Sequence, residues 1–161
     1  MIMKRFLSLI LTLSLFILPS CSLSRKANSI IESIDTVEAQ VRSLVSSQDL
    51  IKLDQEDMEF LLGINNSDYR EGIVLCDSSG KRIDEIGIFL TDEKHSAELV
   101  QKLEAYVSTC KETKEEWLNS YNPDEIKKLK KGSVFQYGNW IGYTFLESDQ
   151  DTAIRQMVQK I

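Results

Sequence analysis

The sequence has 161 residues, with 25 acidic and 19 basic side chains and a net charge of −6 near neutral pH. This length suits a single domain with a substantial core. Affinity for nucleic acid comes chiefly from neutralised phosphates, so an acidic chain with dispersed basic residues argues against a nucleic-acid partner.

The first twenty residues have the layout of a lipoprotein signal peptide. Two basic residues precede an apolar run, residues 6–18, which is too short to span a bilayer as a helix. The run ends in Leu18-Pro19-Ser20-Cys21, with a small residue directly before the cysteine. We therefore predict a signal peptide over residues 1–20 and a lipid on Cys21 that carries fatty acids such as palmitate. An ordinary secretory signal with a coincidental cysteine, or an uncleaved membrane anchor, is the alternative.

A short tether, residues 21–28, leads into two predicted helices. In the first, residues 28–47, apolar side chains recur every three or four positions, which indicates an amphipathic helix. Packing against the core explains this stripe better than a coiled coil, which needs more heptads. The second helix covers residues 54–62, with Asp54 as its cap and Gly63 at its end.

The pattern then changes to that of a β-hairpin followed by a long helix. Residues 72–77 and 82–91 alternate like strands around a Ser-Ser-Gly-Lys turn. The second strand has a strongly apolar face and another, with Glu85 and Gly87, that we expect to tolerate solvent. The helix should extend from about residue 91 to 119 and bury Leu99, Leu103, Tyr106, Cys110 and Trp117.

The last third repeats the order of hairpin and helix. Asn122-Pro123 begins a short helix that ends at Gly132, and residues 133–137 and 140–147 form a hairpin around Gly138-Asn139. A final helix follows. These elements predict one α+β domain, residues 29–161, with an antiparallel sheet of about four strands in two hairpins. We expect its helices to pack mainly on one face of the sheet.

Four short segments of the mature chain together resemble a known sequence pattern. They are Leu62-Gly63-Ile64, Ile83-Asp84-Glu85-Ile86-Gly87-Ile88-Phe89, Tyr121-Asn122-Pro123-Asp124-Glu125 and Tyr137-Gly138-Asn139-Trp140. With these segments the chain resembles a family of small lipoproteins of Gram-positive bacteria that carry domain of unknown function 4358. The resemblance implies an exported, lipid-anchored protein of unassigned activity. It supplies no active site.

No residue pattern in the sequence indicates catalysis, a metal or a cofactor. His95 is the only histidine, and its place at the start of the long helix favours a solvated residue. Cys76 and Cys110 lack the close spacing of a zinc pair, and no phosphate-binding loop is complete. The acidic residues look like charges at helix starts, although a carboxylate pair across a cleft remains an alternative.

Two further sites are predicted. Tyr137, Trp140 and Tyr143 surround one hairpin, and an aromatic residue on an open sheet face would form a binding patch. The alternative is that this hairpin packs against the long helix or that Trp140 covers the end of the sheet. Cys76 and Cys110 are an even pair once Cys21 is lipidated, so they either form a disulfide or remain buried thiols.

The functional prediction is a non-catalytic binding module. We expect a lipoprotein held by its lipid on the extracytoplasmic face of a bacterial cell membrane, where it binds an envelope protein or a cell-wall component. A small cell-wall hydrolase that uses carboxylates is the first alternative. A regulatory subunit of a membrane enzyme is the second.

Overall fold

Five strands form one antiparallel sheet in the computed structural model, which describes residues 33–46 and 49–161. The strands lie in the spatial order β1-β2-β3-β5-β4, so that each predicted hairpin supplies two neighbouring strands. The two hairpins join through β3 and β5, where Glu85 pairs with Phe145 and Leu90 with Trp140. The strand bounds are Leu50–Lys52 (β1), Glu71–Asp77 (β2), Glu85–Leu90 (β3), Ser133–Tyr137 (β4) and Trp140–Phe145 (β5).

Five α-helices accompany the sheet in the described part of the chain. Polar side chains cap the N-termini of three of them: Ser33 accepts a hydrogen bond from the Thr36 N–H over 3.4 Å, Asp54 accepts one from the Asp57 N–H over 2.9 Å, and Asp92 accepts one from the His95 N–H over 3.1 Å. Gly63 ends the second helix in the left-handed conformation, with φ at 67°. The helix bounds are Ile34–Leu44 (α1), Gln55–Leu62 (α2), Glu93–Tyr121 (α3), Ile126–Lys131 (α4) and Ser148–Val158 (α5), with a 3₁₀ turn at Pro123–Glu125.

Both faces of the sheet are buried. On one face α2, α3 and α4 cover a set of side chains that includes Val74, Phe89 and Tyr143, which we call the α3-side cluster. On the other face α1 and α5 cover a set that includes Ile73 and Ile88, the α5-side cluster. The prediction that helices pack mainly on one face is therefore wrong.

One face of β3 carries Glu85, Gly87 and Phe89 and was expected to be open to solvent. A glutamate and a glycine on one strand face look tolerant of solvent, yet all three residues are buried. Glu85 is buried because its carboxylate accepts hydrogen bonds from tyrosine hydroxyls, and the missing side chain of Gly87 leaves room for an aromatic ring. A polar or small residue here therefore reflects specific packing rather than exposure.

Smaller differences affect β1 and two helices. The strand β1 has three residues, of which Ile51 and Lys52 are exposed, so it is too short to show a period of two. In α3 Leu118 is fully buried in place of the predicted Trp117, which is 44% exposed. Helix α1 occupies Ile34–Leu44 within the predicted segment 28–47.

Candidate functional site

A groove opens at one end of the sheet, beside the turn that joins β4 and β5. Its volume is about 470 Å³, within the range of small-molecule sites, roughly 300–1,000 Å³. We call it the hairpin groove. Its lining residues are Arg70, Leu90, Tyr137, Gly138, Asn139, Trp140, Val158, Gln159 and Ile161.

Main-chain hydrogen bonds fix the segments around the hairpin groove. The Arg70 N–H donates to the Leu90 carbonyl over 2.7 Å, and the Thr91 N–H donates to the Asn139 carbonyl over 2.9 Å. Gly138 has φ at 58°, in the region that favours glycine, which allows the tight turn from β4 into β5. The lining residues therefore lie at the ends of regular elements or directly beside them, where these hydrogen bonds hold the backbone.

The hairpin groove combines an apolar floor with a polar rim that carries Arg70. Leu90, Trp140 and Val158 form the floor and are 5%, 5% and 1% exposed. Arg70 is exposed and, in the part of the chain that the structure describes, is the only charged side chain that lines the groove. Such a site favours a ligand with an apolar part and a polar or anionic end.

The structure separates the three aromatic residues of the predicted binding patch. Tyr137 is half-buried and lines the hairpin groove, and Trp140 contributes to its floor. Tyr143 is fully buried in the α3-side cluster on the opposite face. The predicted patch on an open face is therefore wrong, because helices cover both faces and only Tyr137 and Trp140 share a cavity.

Sequence reasoning missed Arg70 and the residues at the end of α5. Arg70 lies in an irregular segment just before β2, and no local pattern marks it. It reaches the β4–β5 turn because β2 and β5 both pair with β3, an arrangement that depends on tertiary structure. In the sequence, only the aromatic residues around Gly138 indicated a binding site at this end of the sheet.

A buried carboxylate with two phenol donors lies in the α3-side cluster. Glu85 is 7% exposed, and its Oε1 accepts hydrogen bonds from the hydroxyls of Tyr106 over 2.7 Å and Tyr143 over 2.6 Å. Burial, together with the charge of Glu85, raises the pKa values of the Tyr106 and Tyr143 hydroxyls well above the usual value for tyrosine. The phenols therefore stay protonated and stabilise the buried carboxylate.

A second buried charge cluster surrounds Lys128 on α4. Its Nζ lies 2.6 Å from Asp84 Oδ1 and 2.9 Å from Glu125 Oε1. Burial acts to lower the pKa of Lys128, but its hydrogen bonds to Asp84 and Glu125 outweigh this effect, so the pKa is raised. These two carboxylates converge on an ammonium group rather than across the hairpin groove, so they do not form the open pair that glycoside hydrolysis needs.

Cys76 and Cys110 are both free thiols in the structure, so the disulfide considered from the sequence is not formed there. Cys110 belongs to the α3-side cluster, and Cys76 packs against it. Burial raises the pKa of Cys76 to about 11 and also raises the pKa of Cys110. The thiolate is the reactive form of cysteine, so both residues are poor nucleophiles near neutral pH.

His95 lies at the start of α3, as expected. Its Nδ1 is 2.8 Å from Asp92 Oδ1, the oxygen that also accepts the backbone hydrogen bond at this helix end. Over residues 33–46 and 49–161, no group of three or more histidine, cysteine, aspartate or glutamate residues is placed to hold a metal ion.

The predicted signal peptide (residues 1–20), Cys21 and the tether (residues 21–28) lie outside the described residues. Within the part of the chain that the structure describes, none of the helices has the length and apolar character needed to cross a membrane.

The fold defines an α+β protein built on a five-stranded antiparallel sheet. The chain matches the family described as "Domain of unknown function (DUF4358)" over residues 43–146, more than half of its length, and it belongs to this family. The matched segment contains all five strands but ends before α5, so part of the hairpin groove wall lies beyond it. Comparisons with curated proteins and with solved structures gave no match.

Proposed function

We propose that the protein is a lipoprotein of Gram-positive bacteria that is anchored through Cys21 to the extracytoplasmic face of the cell membrane. The proposal rests on the order of two basic residues, a short apolar run and Leu18-Pro19-Ser20-Cys21 at the start of the chain. A diacylglyceryl group on Cys21 would hold the folded domain close to the membrane surface, because the tether is short.

At the membrane surface, the protein acts by binding rather than by catalysis. The hairpin groove is the observation that carries this part of the proposal. Among the described residues, its lining includes no carboxylate, histidine or thiol side chain, whereas it does include an apolar floor and polar rim residues. The carboxylates of Asp84, Glu125 and Glu85 are bound to Lys128 or to tyrosine hydroxyls instead. This arrangement gives the hydrolase alternative no specific support.

Mass spectrometry of the membrane-extracted protein tests the anchor. We expect a peptide that begins at Cys21 and carries the mass of a diacylglyceryl group. Cys21→Ala should release the protein or leave the precursor uncleaved, while the control Cys76→Ala should stay anchored. A Cys21→Ala protein that remains in the membrane after its signal has been removed would contradict the proposal.

Photo-crosslinking in intact cells tests the binding role. A photoreactive amino acid replaces Asn139 or Gln159 on the rim of the hairpin groove, and Glu112, which is exposed on α3 at the other face, serves as the control position. We expect discrete adducts from positions 139 and 159 that are absent from position 112 and are weakened by Tyr137→Ala. Equal adducts at all three positions would exclude the groove as the binding site. A membrane enzyme as the captured partner would identify a regulatory subunit.

A further inference from the structure

The charge environment of Arg70 differs from that of every other arginine in the described residues. Arg42 pairs with Glu38 over 2.8 Å, Arg82 with Asp77 over 3.1 Å and Arg155 with Asp151 over 2.8 Å. In residues 33–46 and 49–161, no acidic side chain forms an ion pair with Arg70, and no side-chain hydrogen bond from its guanidinium is present.

The surroundings of Arg70 leave this guanidinium available to a ligand. Among the described residues, Arg70 is thus the arginine without an acidic side-chain partner, and it lies beside a cavity. The other polar side chains on the rim, Asn139 and Gln159, are neutral. A guanidinium can donate two parallel hydrogen bonds to a carboxylate or a phosphate, and this pairing is stronger than one between neutral groups.

The rest of the hairpin groove favours an apolar or planar group next to that anion. Leu90, Trp140 and Val158 form a buried apolar floor, and the half-buried residue Tyr137 forms part of the wall. A volume of about 470 Å³ accommodates a small organic molecule rather than a single inorganic ion.

We infer that the hairpin groove binds a small organic anion, whose carboxylate or phosphate pairs with Arg70 while its apolar part lies on the floor formed by Leu90 and Trp140. This inference rests on the proposed binding role of the groove and names the chemistry of its ligand. Repulsion from an acidic protein disfavours anions in general, so recognition here depends on the local pairing with Arg70.

Tryptophan fluorescence can report binding, since Trp140 lies in the floor and Trp117 is the second of the two tryptophans in the chain. The full-length lipoprotein in mild detergent carries Trp117→Phe, which leaves Trp140 as the sole reporter. Benzoate and phenyl phosphate represent the two anionic groups, and benzamide is the neutral control of nearly the same shape. We expect saturable changes with at least one anion and about tenfold weaker binding of benzamide.

Variants of Arg70 separate this inference from the proposed function. Arg70→Gln should weaken anion binding about tenfold, to the level of benzamide, and Arg70→Lys should restore part of it. Lys127→Gln makes the same charge change at an exposed position on α4 and should have no effect. Equal binding of anions and benzamide would overturn the anion inference but keep the groove as a binding site. No saturable change with any of the three probes would overturn both.

Discussion

Gly87 and Tyr143 face each other across the β3–β5 pair, and a Cβ atom at Gly87 would lie only 2.3 Å from Cε1 of the Tyr143 ring. Real Cβ atoms do not approach other heavy atoms this closely. The glycine therefore makes room for the ring whose hydroxyl donates to Glu85. The absence of a side chain at Gly87 thus allows Tyr143 to reach the carboxylate of Glu85 on the same strand.

Gly87→Ala should lower the free energy of unfolding by about 1–3 kcal/mol, because the Tyr143 ring must move or the strands must separate. Chemical denaturation measures this loss. The same alanine in a Tyr143→Leu background should cost less, since the obstructing ring is absent. If the two substitutions are strictly additive, the steric explanation is wrong.

Lys128→Met should destabilise the fold by about 3–5 kcal/mol, because Asp84 and Glu125 would remain buried without their common cation. Lys130→Met on the same helix is the matched control. Lys130 pairs with Glu115 over 3.1 Å, but its side chain is 64% exposed, so its loss should cost less than about 1 kcal/mol. Similar losses for the two variants in urea titrations would argue against a structural role for the buried cluster.

Cys76 should react slowly with iodoacetamide at pH 8, and its rate should rise steeply towards pH 11. Burial raises the pKa of its thiol to about 11, whereas an unperturbed thiol has a pKa of about 8.5, so little thiolate is present at pH 8. Mass spectrometry of the peptide that contains Cys76 gives the rate in native protein. A free cysteine peptide is the reference, and an equal rate for both at pH 8 would contradict the raised pKa.

The thiol content of the denatured protein addresses the disulfide alternative directly. With both cysteines free, the non-reduced mature protein should yield two titratable thiols, from Cys76 and Cys110. Fewer than two would indicate the bond that the sequence allows.

Local patterns in the sequence were sufficient for most of the secondary structure. The two hairpins, the caps at Asp54 and Gly63 and the long helix could be predicted because each depends on residues close together in the chain. The α+β class and the antiparallel sheet follow from the order of these elements. The three-residue strand β1 could not be found in this way, since it is defined by its pairing with β2.

The arrangement of the site depends on contacts that no local pattern records. Arg70 and Gln159 are far apart in the chain, and both line the hairpin groove in a sheet where β3 pairs with β2 and β5. Side chains that look exposed in sequence, such as Glu85, are buried where a distant residue supplies a hydrogen bond. The aromatic hairpin was visible in the sequence, but which of its rings line a cavity was not.

Tyr106 and Tyr143 should resist ionisation in the folded protein. Burial and the charge of Glu85 raise the pKa of both hydroxyls above the usual value of about 10, so the folded state retains protons that the unfolded chain releases. Their contribution to stability is therefore complete below pH 10 and is lost as the pH rises further.

In an alkaline titration followed by tyrosinate absorbance, these two of the five tyrosines should ionise only when the chain unfolds. The Tyr106→Phe and Tyr143→Phe variants should each reduce the absorbance change that accompanies unfolding by the amount of one tyrosine. If either substitution instead reduces absorbance that develops before the chain unfolds, the hydroxyl concerned is accessible and does not stabilise Glu85 in the way that the structure indicates.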